Sequence, residues 1–241
     1  MIKALFLLIP VILLMGTSLG CDINEDSIKG SGDVITIKKD FSGFTKVDLA
    51  HTVEATIVRA DSFSVVIKID DNLEKYLNTK MVGDTLKIYL DSGHHYKDET
   101  IEAEITMPFL DELELSGATR ADIAGFISDH DLDINISGAS KVSGNIVASD
   151  TDFDISGASK LNLEGSGENL KVKTSGASDV DLGDFIAKDV DISLSGASDG
   201  TVNLNGTLEA DVSGASKLRY YGNPTMGDID TSGASSIKKV E

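Results

Sequence analysis

The sequence predicts an all-β protein: a parallel β-helix, or solenoid, of about seven coils of ~19 residues, preceded by a β-rich N-terminal lobe that caps it. Three observations predict this fold. One tetrapeptide recurs at a nearly constant period, short alternating strands flank each copy, and a β-rich segment of different texture precedes the repeats.

The repeated tetrapeptide is Ser-Gly-Ala-Ser, with Thr in the last place of the first copy. Its copies are 18 to 21 residues apart, and they begin at Ser116, Ser137, Ser156, Ser175, Ser195, Ser213 and Ser232. A repeat of this length made of short strands cannot bury its own apolar face. Successive repeats must therefore stack, which aligns equivalent strands in parallel.

Apolar and polar residues alternate on both sides of each tetrapeptide, as in Leu113-Glu-Leu before the first copy and Leu161-Asn-Leu after the third. This period of two indicates a strand before and a strand after a tight corner. Glycine reaches the backbone conformation of such a corner without steric cost. The corner glycines are Gly117, Gly138, Gly157, Gly176, Gly196, Gly214 and Gly233. We expect Ala118 and its counterparts to face the crowded inside of the corner, and the serine hydroxyls to bond corner backbone groups.

The segment 33–112 contains longer alternating runs, such as Ser64–Ile69 and Thr85–Leu90. We predict that this lobe covers one end of the C-terminal β-helix lobe, residues 113–241, because an uncapped stack exposes a strand edge. The two lobes are expected to form one structural domain. At the other end, Lys238, Lys239 and Glu241 are charges suited to protecting an edge.

Residues 1–21 have the features of a lipoprotein signal peptide: Lys3, an apolar stretch over 4–15, and small residues before the only cysteine, Cys21. Ser18-Leu-Gly20 resembles a lipobox, although leucine is usual where Ser18 stands. The prediction is lipidation at Cys21, with residues 22–32 as a tether and a location in the cell envelope, facing either the cell surface or the periplasm. An unmodified thiol in an ordinary secreted protein remains the alternative.

The chain has 40 acidic and 21 basic side chains, a net charge of −19. A surface of this sign repels nucleic acid and anionic lipid, so nucleic acid is not an expected partner.

Four features together resemble a known family: Phe41-Ser-Gly-Phe44, Asp70-Asp-Asn-Leu73, Ile105–Leu110 and the Ser-Gly-Ala-Ser series. The family is named Putative auto-transporter adhesin, head GIN domain, and the resemblance covers about residues 33–225. It implies a right-handed, single-stranded parallel β-helix in a bacterial envelope or secreted protein, and its name implies adhesion. No catalytic residues come with the resemblance.

Two groups of residues have metal-ligand chemistry. His94-His95 lies between Asp91 and Asp98, but adjacent residues of a strand face opposite ways, so no metal site is predicted there. Asp150, Asp152 and Asp154 are oxygen ligands that suit calcium. The glycine-rich nonapeptide of calcium-binding β-rolls is missing, and strand acids normally face solvent. No cofactor is predicted, and calcium binding by the acidic strand faces is left open.

β-Helices also include polysaccharide-cleaving enzymes, which use one defined pair of carboxylates. No unrepeated polar cluster interrupts these repeats, and tryptophan, a common sugar platform, is missing. The favoured hypothesis is a lipid-anchored, non-catalytic adhesion or binding module that presents an acidic face to a protein or glycan. The alternatives are a structural envelope component that self-associates through its solenoid ends and, less favoured, a carbohydrate-active enzyme.

Overall fold

The computed structural model describes residues 27–241, so the signal peptide and Cys21 lie outside the described residues. Strands account for 62% of the structure and helix for 3%. Among residues 27–241, no helix combines the length and the apolar character needed to cross a membrane.

The N-terminal part of the structure contains nine strands and a 3-10 helix. The strands are β1 (Ile28–Lys29), β2 (Val34–Lys39), β3 (Lys46–Leu49), β4 (Glu54–Arg59), β5 (Ser64–Asp70), β6 (Leu77–Val82), β7 (Thr85–Leu90), β8 (Tyr96–Lys97) and β9 (Ile101–Met107), and the helix is Asp71–Tyr76.

The strands that surround the tetrapeptides follow. They are β10 (Glu112–Leu115), β11 (Arg120–Ile127), β12 (Leu132–Ile136), β13 (Lys141–Val147), β14 (Thr151–Ile155), β15 (Lys160–Thr174), β16 (Asp179–Leu194), β17 (Asp199–Leu204), β18 (Thr207–Val212), β19 (Lys217–Tyr221), β20 (Thr225–Thr231) and β21 (Ser236–Lys239). The long strands β15 and β16 each follow the coil around from one side to the next.

These strands form two parallel ladders that run along the molecule. One ladder joins β7, β3, β10, β12, β14, the second halves of β15 and β16, then β18 and β20. The other joins β9, β4, β11, β13, the first halves of β15 and β16, then β17, β19 and β21. The predicted solenoid is therefore confirmed, with about six turns of stacked parallel coils.

The N-terminal lobe both extends the ladders and closes their end. β3 and β4 stack between the coil of β7 and β9 and the coil of β10 and β11, so the order of coils differs here from the order of the chain. Three antiparallel strands then end the parallel stack: β5 on β9, β2 on β5 and β6 on β7. They cover the edge that would otherwise expose unpaired backbone groups.

The seven tetrapeptides lie one above another at a single edge of the solenoid. From the second copy onward, each alanine N–H donates to the glycine carbonyl of the preceding corner, as from Ala139 to Gly117 at 2.7 Å and from Ala177 to Gly157 at 2.8 Å. All seven corner glycines have φ between 73° and 82°. Within the column, a Cβ on any of them would meet the backbone of the neighbouring corner.

The expected direction of the alanines was wrong, because Ala118 and its counterparts are exposed. In the first six copies the fourth residue of the tetrapeptide is buried instead: Thr119 is 0% exposed and Ser178 is 2% exposed. The positive φ of the glycine turns the chain so that the next side chain faces solvent and the one after it faces the core. These buried hydroxyls are satisfied locally, as where Ser198 Oγ donates to the Ser195 carbonyl at 2.9 Å.

The corner of β3 and β4 starts this column without a glycine. His51 has φ 76° and occupies the position beneath Gly117, since the Ala118 N–H donates to its carbonyl oxygen. Its ring lies edge-on to Tyr96, with 6.4 Å between centroids. A side chain is tolerated here because no tetrapeptide corner lies on the far side.

The core is a continuous apolar column inside the coils. Phe153 and Phe185 are both 0% exposed and pack edge to face at 6.4 Å. At the C-terminal end, Lys239 lies in register with Tyr220, an inward position, and donates to Asn223 Oδ1 at 2.6 Å. An inward charge on the last coil disfavours stacking of another strand.

Candidate binding groove

Acidic side chains form two columns along one side of the solenoid. One column follows the ladder register through Asp133, Asp152, Lys171, Asp191 and Glu209. In parallel strands such residues repeat every ~4.8 Å along the solenoid.

The second column lies two residues earlier on each coil, at Asp131, Asp150, Asn169 and Asp189. Side chains of this column form hydrogen bonds with one another or with the backbone of the next coil. Asn169 Nδ2 donates to Asp150 Oδ1 at 2.7 Å, and the Thr207 N–H donates to Asp189 Oδ1 at 2.7 Å. In β15 and β16 the two columns stand two residues apart on one strand, and such positions face the same side and are separated by ~6.6 Å.

Between and around these columns lies a concave surface of about 620 Å³, which we call the acidic groove. Its lining contains seven carboxylates and one ammonium group, that of Lys171. Leu170 and Val190 form part of its floor. The lining residues are Asp131, Asp133, Asp150, Thr151, Asp152, Asn169, Leu170, Lys171, Asp189, Val190, Asp191, Thr207 and Glu209.

The negative charges of the groove are only partly compensated. The Nζ atom of Lys171 lies 4.0 Å from Asp152 Oδ2. Partial burial, followed by the negative charges of Asp152 and Glu112, raises the pKa of Asp133. Asp189 behaves in the opposite way, because the backbone N–H of Thr207 holds the pKa of its carboxyl below the usual range.

The raised pKa of Asp133 predicts a stabilising substitution. The folded state holds the Asp133 proton more tightly than the unfolded state does, so ionisation opposes folding above the folded-state pKa. Asp133→Asn should therefore raise the Tm at pH 7, and the gain should shrink as the pH falls and in high salt. Asp154→Asn is the matched control, because Asp154 is exposed on the same ladder between Asn135 and Lys173. Equal Tm changes for the two variants would contradict repulsion within the groove.

A second, smaller concave surface of about 370 Å³ continues the groove toward the N-terminal lobe. There the His130 ring stacks on Phe109 with centroids 4.6 Å apart, and its Nδ1 lies 3.1 Å from Asp111 Oδ1. Lys46 lies at the same place, 3.2 Å from Glu112 Oε2. This end of the groove therefore carries both signs of charge.

The structure separates the residues that the sequence singled out for metal chemistry. Asp150 and Asp152 line the groove, but Asp154 lies outside its lining. His94 packs against Tyr76, with centroids 5.0 Å apart, rather than into a cluster of carboxylates. In the part of the chain that the structure describes, no group of three or more His, Cys, Asp or Glu side chains could hold a metal ion.

Sequence reasoning missed the groove, although a signal for it exists. Residues of the first column occupy the position four residues before the first serine of a tetrapeptide. Residues of the second column occupy the position six residues before it. Aligning the repeats on that serine would have shown an acidic residue at most of these places. The apolar positions of the repeats define the core and do not indicate what its surface carries.

The fold and this surface define a class: a β-solenoid protein with a preformed acidic groove along its side. The chain belongs to the family named Putative auto-transporter adhesin, head GIN domain, whose model matches residues 43–224. Membership points to adhesion or another binding role, and to a cell-surface or envelope protein. Among curated proteins, none matches the sequence.

Solved structures share the fold at low sequence identity. A putative adhesin from Bacteroides fragilis is 22% identical with a TM-score of 0.83, over 89% of this chain and 100% of that chain. A putative lipid binding protein from Parabacteroides distasonis is 19% identical, with a TM-score of 0.70 and the same coverage. A putative adhesin from Parabacteroides merdae is 16% identical, with a TM-score of 0.66 over 90% of this chain and 100% of that chain.

Proposed function

We propose that this protein is a lipid-anchored, non-catalytic binding module of the bacterial cell envelope, and that its acidic groove holds a protein segment with clustered positive charge. The observation that carries the proposal is the groove lining of seven carboxylates and one ammonium group on a concave surface. The family's name and the envelope location it points to support a binding role.

A cationic protein segment fits this lining better than a neutral glycan does. Burial is the first cause of the raised pKa of Asp133, and repulsion from Asp152 and Glu112 is the second. Ammonium and guanidinium groups would relieve that repulsion, whereas sugar hydroxyls would leave it in place. Side chains on one face of an extended segment recur every ~6.6 Å, which matches the separation of the two acidic columns. Basic side chains of one such segment can therefore reach both columns.

The groove is preorganised, because its residues lie on ladder strands or on the turns that join them. A surface that is already in its binding shape loses little conformational entropy when a partner binds. The carboxylates also repeat from coil to coil instead of forming one isolated pair, and this supports binding over glycosidic catalysis.

The test is calorimetric binding of a decalysine peptide to the protein and to two triple variants. Replacing Asp133, Asp152 and Asp191 with Asn should weaken binding about tenfold, since three partly exposed ion pairs contribute about 1.5 kcal/mol together. The control replaces Asp122, Asp181 and Asp184, which lie outside the groove lining, with Asn and changes the net charge equally. Equal weakening by both triple variants would mean that net charge, and not the groove, binds the peptide.

A further inference from the structure

The chain enters the described structure at the capped end, beside a group of aromatic rings. β1 pairs in parallel with β8, and the Ile28 N–H donates to the His95 carbonyl at 2.7 Å. Asn72 Nδ2 adds a bond to the Lys29 carbonyl at 2.8 Å. The segment that follows Cys21 is therefore fixed to the solenoid from Ile28 onward.

The rings beside this entry point form a compact, partly exposed cluster. Tyr76 lies 5.0 Å from His94 and 5.9 Å from Tyr96, and His94 lies 6.1 Å from Tyr96, all between ring centroids. Lys75 Nζ lies 4.8 Å above the Tyr76 ring. We call Lys75, Tyr76, His94 and Tyr96 the aromatic patch. Tyrosine rings with a neighbouring lysine are typical of surfaces that sit at the level of lipid headgroups.

Charge is distributed unevenly along the solenoid. Residues 27–110, which include the cap and the aromatic patch, carry 14 acidic and 10 basic side chains, a net charge of −4. Residues 111–241, which form the remaining coils, carry 23 acidic and 10 basic side chains, a net charge of −13. An anionic membrane surface therefore repels the distal coils far more strongly than the capped end.

We infer that the aromatic patch rests on the headgroups of the membrane that anchors the chain, so that the solenoid stands on its capped end with the acidic coils directed away from the lipid. The inference depends on the proposed lipid anchor at Cys21. Five residues lie between Cys21 and Ser27. The six residue-to-residue steps of an extended chain span at most ~21 Å. The anchor thus keeps the capped end within reach of the bilayer.

Burial of the rings is the main attraction in this arrangement. Lys29, next to the patch, already pairs with Asp98 at 3.2 Å, which leaves little net positive charge for anionic lipid. Orientation then follows from ring burial at one end and from repulsion of the coils at the other.

The sequence contains no tryptophan, so a single introduced tryptophan reports on one place only. The full-length lipidated protein would carry Tyr76→Trp in the patch or, as the matched control, Tyr221→Trp on the distal strand β19. Both would be reconstituted on vesicles of phosphatidylethanolamine and phosphatidylglycerol with acyl chains brominated near the headgroup. Flotation of the vesicles first shows whether the protein is anchored.

We expect both variants to float and only Tyr76→Trp to be quenched, losing about half of its emission because its ring lies at the interface. Flotation with no quenching at Tyr76→Trp, or with equal quenching at both positions, would overturn the orientation while leaving the anchor intact. Failure to float would overturn the anchor, and the orientation with it. The decalysine measurement is made without vesicles, so its outcome is independent of both.

Discussion

Gly176→Ala should destabilise the protein by about 3–5 kcal/mol, which combines the strain of a positive φ with loss of corner stacking. Gly176 has φ 82°, and a Cβ there would overlap the carbonyl oxygen of Gly157 at less than 3.0 Å. That same oxygen accepts the 2.8 Å hydrogen bond from the Ala177 N–H. The methyl group therefore competes with a bond that holds two coils together.

Gly43→Ala separates the two contributions. Gly43 has nearly the same φ, 78°, but a Cβ there meets nothing within 4 Å. The Gly43→Ala variant should therefore lose only about 1–2 kcal/mol of unfolding free energy, from backbone strain. Urea unfolding of both variants gives the difference in the free energy of unfolding. If Gly176→Ala were no more costly than Gly43→Ala, the corners would not be in close contact.

Asp70→Ala should cost about 3 kcal/mol, because two backbone donors lose a charged acceptor in a buried place. Asp70 is 0% exposed, and its carboxylate accepts the N–H groups of Gly32 and Thr100, both at 2.8 Å. One bond fastens the N-terminal segment and the other fastens the loop before β9. The variant should also make the backbone near Gly32 more sensitive to protease.

Asp71→Ala is the neighbouring control for this prediction. Asp71 is exposed and accepts one hydrogen bond, from Ser31 Oγ at 2.6 Å. Its loss should change the free energy of unfolding by less than about 1 kcal/mol. Similar losses for Asp70→Ala and Asp71→Ala would show that the buried carboxylate is not what fastens the N-terminal segment.

The sequence was sufficient to predict the solenoid, because the tetrapeptide period and the alternation of apolar residues depend on local geometry. It did not predict that β3 and β4 stack between later coils, since that insertion is a long-range pairing without a repeated motif. His51 illustrates the difficulty: it has the corner conformation, but it has neither the glycine nor the serines that mark the other corners. The stacking of the His51 corner on the Gly117 corner depends on the whole fold and not on the residues next to His51 in the sequence.

The candidate site was harder to predict than the fold. Asp150, Asp152 and Asp154 stood out as an alternating acidic run, yet only the first two line the groove. Concavity depends on how the turns at Asp131 and Asp150 are placed beside the strands, and alternation along one strand does not contain that information. The inward direction of Thr119 was missed for a related reason, because the positive φ of Gly117 shifts the side-chain alternation by one residue.

Pulsed electron paramagnetic resonance tests the stacking of the corners most directly. In a Cys21→Ser background, one spin label is placed at Ala118 and a second at Ala177, Ala197, Ala215 or Ala234, all exposed positions of the corner column. We predict label separations that grow by ~4.8 Å per coil, from ~14 Å at Ala177 to ~29 Å at Ala234. Separations that do not increase steadily from coil to coil would contradict the stacked solenoid.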